Sequence, residues 1–150
     1  MADTTVLKSE VEDYVRAWLQ QKFGKPFRKD KLALVGVQGV PKTHEFDGVS
    51  EDRAVVCGIK TSSWKTSGGK WGAGKIAVAY MEIYFLSHVA AKQKYLVLTD
   101  SEFHAGLEKQ VEGKLAVGVG LLRCDLPRGL AEKVGAVRRK SRKEQGAKAQ

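Results

Sequence analysis

The segment Ile76–Ala90 is almost wholly apolar, and Glu82 is its sole acidic residue. It is too short to cross a bilayer, which takes about 20 apolar residues. Its length and composition suit a helix buried within a globular core. A carboxylate inside such a helix needs a reason, because burying an unpaired charge costs roughly several kcal/mol. A metal ion or a lysine would supply one, whereas the plain alternative is a Glu82 at the helix's exposed edge or paired with an arginine.

The chain on either side of this helix is patterned. From Thr4 to Phe23, residues Val6, Val11, Tyr14, Val15, Trp18 and Leu19 recur at helical spacing, and Gly24 stops the helix. After Pro26 come three β-like runs, Lys31–Val37, Thr43–Val49 and Arg53–Thr61. The turn-rich stretches 38–41 and 48–52 separate them, which predicts an antiparallel meander. Thr61–Gly74 is rich in Ser, Thr, Gly, Lys and Trp. Beyond the apolar helix, the pattern predicts a strand at Lys94–Thr99, a polar helix at Ser101–Val111 and a strand-like run at Leu115–Arg123. Pro127 breaks it. We expect a single α/β domain over residues 1–127. Residues 128–150 carry Arg138, Arg139, Lys140, Arg142 and Lys143, the composition of a solvated basic helix fraying into disorder.

Composition bounds the partners. The 150 residues include 26 Lys+Arg against 17 Asp+Glu, a formal charge of +9 that favours polyanions such as nucleic acid. Cys57 and Cys124 lie in apolar runs without other ligands at metal-binding spacing, as expected for reduced core thiols. The opening Ala2-Asp3-Thr4-Thr5 lacks an apolar signal region, so we expect a cytoplasmic protein with no membrane association.

The order helix, three-strand meander, buried helix, strand resembles the αβββαβ core of the PD-(D/E)XK nuclease superfamily, the restriction-endonuclease-like fold. There an Asp ends the second strand and an acidic-x-Lys triplet lies in the third. The matching segments here are His44-Glu45-Phe46-Asp47-Gly48-Val49 and Val55-Val56-Cys57-Gly58-Ile59-Lys60-Thr61. Strand alternation puts Gly58 and Lys60 on one face, with Cys57, Ile59 and Thr61 on the other. The resemblance implies an α/β fold with a mixed central sheet flanked by helices. It further implies metal-dependent hydrolysis of phosphodiester bonds in DNA, with Mg²⁺ or Mn²⁺ as cofactor. Asp47 would then hold the metal and Lys60 would stand at the reacting phosphate.

Gly58 departs from the pattern, since it occupies the place of the second carboxylate and has no side chain to ligate a metal. Some members of the superfamily carry that acid on the following helix, and Glu82 is the residue here that would replace it. The family also often has a Glu on the first helix facing the site. Glu10, one turn before Tyr14, is the candidate, with Glu12 and Asp13 competing. Many small nucleases of this type are homodimers, so that two sites reach two strands, but the sequence shows no interface.

The stretch after Lys60 offers lysines, hydroxyls and bare amides that suit phosphate oxygens. Lys65, Lys70 and Lys75 are the candidate phosphate contacts. Trp64 and Trp71 could stack on bases, or fold back onto the core. Gly69–Lys75 also fits part of a P-loop, but Ile76 stands where Ser or Thr should reach magnesium, and no strand runs directly into Gly69. His44, His88 and His104 show no zinc or triad spacing and are expected in the core or at the surface. The main rival to an enzyme is a nucleic-acid-binding protein that kept the scaffold and lost the chemistry. A nucleotide-binding protein is a more remote alternative.

Overall fold

The computed structural model describes residues 2–64 and 73–148. Its elements are α1 (Ala2–Phe23), β1 (Phe27–Ala33), β2 (Thr43–Ser50), β3 (Val55–Lys60), α2 (Ala73–Ser87), β4 (Gln93–Leu98), α3 (Ser101–Val111), β5 (Val119–Arg123) and α4 (Arg128–Lys148). The strands form one sheet in the order β1-β2-β3-β4-β5. The first three are antiparallel, and β4 and β5 continue parallel to β3. The fold is therefore α/β, with a mixed sheet and helices on both sides. Among the described residues no helix is long and apolar enough to cross a membrane.

Period-two alternation along β3 divides the core. Val55, Cys57 and Ile59 point towards α1, where they join Val11, Val15, Leu19 and Leu130 of α4. Val56 points the other way, into a cluster with Ala79, Ile83 and Leu86 of α2 and Phe103 and Leu107 of α3. Burial raises the Cys57 thiol to about 12 and, assisted by the charge of Asp125, the Cys124 thiol to about 11. Both thiols are unbridged and buried.

Several boundaries differ from the patterns in the sequence. β1 begins at Phe27, because this edge strand exposes Arg28, Lys29 and Lys31 and hides its apolar periodicity. Its apolar continuation leaves the sheet: the Val35 amide donates to the His88 carbonyl at 2.6 Å, and Gly36 turns the chain at φ 67°. β5 begins only at Val119, after the fully exposed Val117 and a Gly118 with φ 90°. α2 buries Ala79, Ile83 and Leu86 but leaves Val78, Met81 and Tyr84 about half exposed. The basic tail is helical from Arg128 to Lys148, seated by Leu130 and Val134 against the α1 side of the core.

The β2–β3 turn is built on Asp52. Its carboxylate accepts from Lys25 Nζ at 2.6 Å, Ser50 Oγ at 2.7 Å and the Ala54 amide at 3.0 Å. The Lys25 hydrogen bond, followed by the Ala54 and Ser50 bonds, holds the carboxyl well below its ordinary value of 3.8. Because the folded state favours the ionised form, this stabilisation is complete above about pH 4–5 and fades as the pH falls towards the lowered folded value. Asp52→Asn is thus expected to cost stability at neutral pH, with the difference from the natural chain shrinking as unfolding is measured at successively lower pH below about 4.

α3 meets the rest of the core through a close approach. Asp100 caps it, accepting from the Phe103 amide at 2.9 Å, and also accepts from the Trp64 amide at 3.2 Å. The Trp64 ring packs on Phe103, and a Cβ at Gly106 would lie 2.5 Å from its Cε2 and Cζ2. Gly106→Ala is therefore expected to destabilise the fold by about 1–3 kcal/mol, although alanine is the better helix former by about 1 kcal/mol. Urea unfolding followed by tryptophan fluorescence would measure it, and a gain in stability would contradict this packing.

Candidate functional site

The sheet is irregular where Asp47 sits. Arg28 pairs with Val49 and Asp30 with Phe46, so Asp47 and Gly48 together face the single Lys29, the signature of a β-bulge. The extra residue lets Phe46 and Val49 both enter the α2 side of the core. Gly48 faces α1, where a Cβ would stand 3.3 Å from Leu19 Cδ1 and 3.5 Å from Cys57 Cβ. β2 pairs with β3 at Gly48–Cys57 and Val49–Val56. Beyond that register Asp47 takes over: its Oδ2 accepts from the Ile59 amide at 2.9 Å. Its carbonyl accepts from Arg16 Nη1 of α1 at 2.8 Å, so the bulge is held from both sides.

Gly58 and Lys60 lie on the α2 face of β3, opposite Cys57 and Ile59, as alternation predicts. Glu82 comes down on Gly58 from α2. A Cβ built on Gly58 would stand 3.2 Å from Glu82 Oε2 and 3.2 Å from Leu96 Cδ1. A carboxylate reaching over from α2 thus lies against the bare face of Gly58. Glu82 belongs to the inward stripe of Ala79, Ile83 and Leu86, and its side chain is 16 % exposed. Asp47 and Glu82 therefore address adjacent residues of β3, Ile59 and Gly58.

The surroundings of Glu82 suit a cation. Among the described residues no lysine or arginine pairs with it; its ionisable neighbour is His44, whose Nε2 lies 3.5 Å from Oε1. That nitrogen is buried and has no hydrogen-bond partner among the described residues. A partly buried carboxylate beside an imidazole nitrogen without a hydrogen-bond partner among the described residues matches donor types that metal ions take. No cluster of three or more His, Cys, Asp or Glu suited to a metal occurs among the described residues.

The remaining candidates fall in different places. The Lys60 carbonyl accepts from the Thr99 amide at 3.2 Å, and its ammonium makes no ion pair among the described residues. Glu10 is half exposed and lies 3.4 Å from Lys133 of α4. The buried acid of α1 is Glu12, 5 % exposed, with Lys29 3.9 Å away. Spacing marks it, since Glu12 lies three residues before Val15 and seven before Leu19, on the stripe that packs. Trp64 is 4 % exposed and belongs to the core, so it offers bases no stacking face. Lys75 donates to the Ser63 carbonyl at 2.7 Å, tying the start of α2 to the chain just after β3. Gly74 and Lys75 lie in the first turn of α2, and the rest of the glycine-rich stretch, 65–72, lies outside the described residues. Lys65, Lys70 and Trp71 lie outside the described residues.

No family model, curated protein or solved structure significantly matches this chain.

Proposed function

We propose that the chain is a metal-dependent nuclease that hydrolyses phosphodiester bonds in DNA, on the PD-(D/E)XK plan with the second acid moved to α2. The observation that carries the reading is Glu82 Oε2, 3.2 Å from where a residue-58 side chain would begin, beside the bulge that fixes Asp47. The order α1-β1-β2-β3-α2-β4 and the mixed sheet agree with it. Asp47 and Glu82 would hold Mg²⁺ or Mn²⁺, which supplies charge neutralisation at the phosphate and a more acidic bound water. Lys60 would place its ammonium against a non-bridging phosphate oxygen. Water adds its oxygen to phosphorus, the bond to one ester oxygen breaks, and the departing alkoxide takes a proton. The formal charge of +9 favours the DNA backbone.

A second reading is a DNA-binding protein on the same scaffold without catalysis. It is favoured by Gly58 and by the lack of a three-ligand cluster among the described residues. Plasmid, branched and single-stranded DNA incubated with the full chain in Mg²⁺ or in EDTA separate the two. Under the nuclease reading, cutting needs the metal and is lost in Lys60→Ala. Salt-sensitive binding without cutting would instead establish the binder, and neither would remove nucleic acid from the account.

A further inference from the structure

We infer that the C-terminal half of α4 is an arm for the DNA backbone, holding phosphates of the duplex that flanks the candidate site. The inference rests on DNA as the partner in the reading above, and not on catalysis. Residues 138–148 hold six basic residues and one acidic, a net +5 of the chain's +9. The charge that favours a polyanion is therefore concentrated on one stretch, and that stretch is helical to Lys148. At about 1.5 Å per residue it spans about 16 Å, the axial length of about five base pairs.

The seat of α4 decides where this charge stands. Leu130 and Val134 pack on the α1 side of the core, and Val134 and Val137 line a small cavity with Lys8 of α1 and with Thr61 and Ser62. Thr61 and Ser62 directly follow Lys60, which ends β3 in register with Leu98 of β4, itself in register with Arg123 of β5. Ala131 and Val134 also border Thr99 and Asp100, just beyond β4. α4 thus crosses the carboxyl edge of the parallel strands, the side on which open α/β sheets receive ligands. Its basic half begins there, one residue past Val137. The exposed Arg139 reaches one turn back, its Nη1 3.2 Å from where a Cβ on Gly135 would stand. The spacing of Leu130, Val134 and Val137 continues as Ser141, Gln145 and Lys148, so the apolar stripe that seats the helix ends where the charge begins. Arg138 with Arg142, and Arg139 with Lys143, are like charges four residues apart, which oppose a helix until an anion neutralises them.

The test is binding of a fluorescent DNA duplex by the full chain in EDTA, read by anisotropy between about 50 and 200 mM salt. One variant carries Arg138→Gln, Arg139→Gln, Lys140→Gln, Arg142→Gln and Lys143→Gln, which keep good helix formers. A control carries the same loss of charge spread over exposed lysines elsewhere, as Lys31→Gln, Lys42→Gln, Lys92→Gln, Lys109→Gln and Lys114→Gln. Circular dichroism checks the fold of each. In the arm variant the slope of log K against log salt should shallow by about 2–4, and Kd near 0.1 M salt should rise at least about thirtyfold. The control should weaken binding by less than about fivefold, since charge remote from the phosphates acts only through the screened field. An arm variant that binds no more weakly than the control would overturn the inference. Cleavage in Mg²⁺, followed on the same samples, keeps the two readings apart. Cutting by the natural chain with equal binding by both variants would remove the arm and leave the nuclease. The expected loss of binding, with no cutting by any of the proteins, would leave the arm and remove the nuclease. No DNA binding by the folded natural chain would overturn both.

Discussion

Asp47→Asn is expected to lower metal-dependent cleavage at least about a hundredfold while leaving the fold intact, because substituting even a metal's outer-shell partners costs about 10–100-fold. The asparagine carbonyl can still accept from the Ile59 amide, which Asp47 Oδ2 now does at 2.9 Å. Only the charge is lost, and exchanging a charged acceptor for a neutral one in a single hydrogen bond costs about 1 kcal/mol or less. Asp47→Ala behaves differently, since it also strands that amide where β2 and β3 part, at about 1–3 kcal/mol. Single-turnover cleavage and urea unfolding of both variants separate the catalytic from the structural loss. Equal activity in the natural chain and Asp47→Asn would remove Asp47 from the metal.

An exchange of position between Glu82 and residue 58 has the next largest expected effect. Glu82→Ala should lose at least about a hundredfold in cleavage, as removal of a direct ligand. Gly58→Glu alone should not raise cleavage. Its Cβ would begin 3.2 Å from both Glu82 Oε2 and Leu96 Cδ1, so the new carboxylate meets an existing one of like charge above a packed leucine. The double variant Gly58→Glu/Glu82→Ala gives the incoming side chain the space Glu82 vacated. It should regain at least about tenfold over Glu82→Ala, a strong non-additivity of the kind neighbouring residues show. A double variant no better than its parents would mean that the two positions do not share one function.

The larger layout was legible because periodicity reports burial directly. The apolar stripe of α1, the alternation of Val55–Lys60 and the length of the apolar segment around Ile83 each exposed their element in the sequence. The start of β1 was not legible, since an edge strand with one face in solvent can carry Arg28, Lys29 and Lys31 where alternation looks for valines, so only its overlap with the expected run Lys31–Val37 was found. The placement of Glu82 over Gly58 was half legible: a lone acid in an apolar helix demanded a partner, but spacing alone could not say which glycine it would cover. Glu10 was set ahead of Glu12 and Asp13 by its place one turn before Tyr14, whereas Glu12 is the acid of α1 that the packing buries. Trp64 looked like a stacking platform because its neighbours are polar. Its partners, Phe103 and the bare face of Gly106, lie far along the chain and become visible only when α3 folds over it. His44 carried no spacing motif, yet Phe46 two residues on marks the inward face of β2 on which it lies.

The most direct test of the account is single-turnover cleavage of labelled duplex and branched DNA in Mg²⁺ by the natural chain and by Glu82→Gln, with binding recorded in the same samples. Cutting by the natural chain and a loss of at least about a hundredfold in the variant are expected, with binding retained by both. Equal cutting by the two proteins would contradict the relocated acid, and binding without cutting by either would contradict the enzyme.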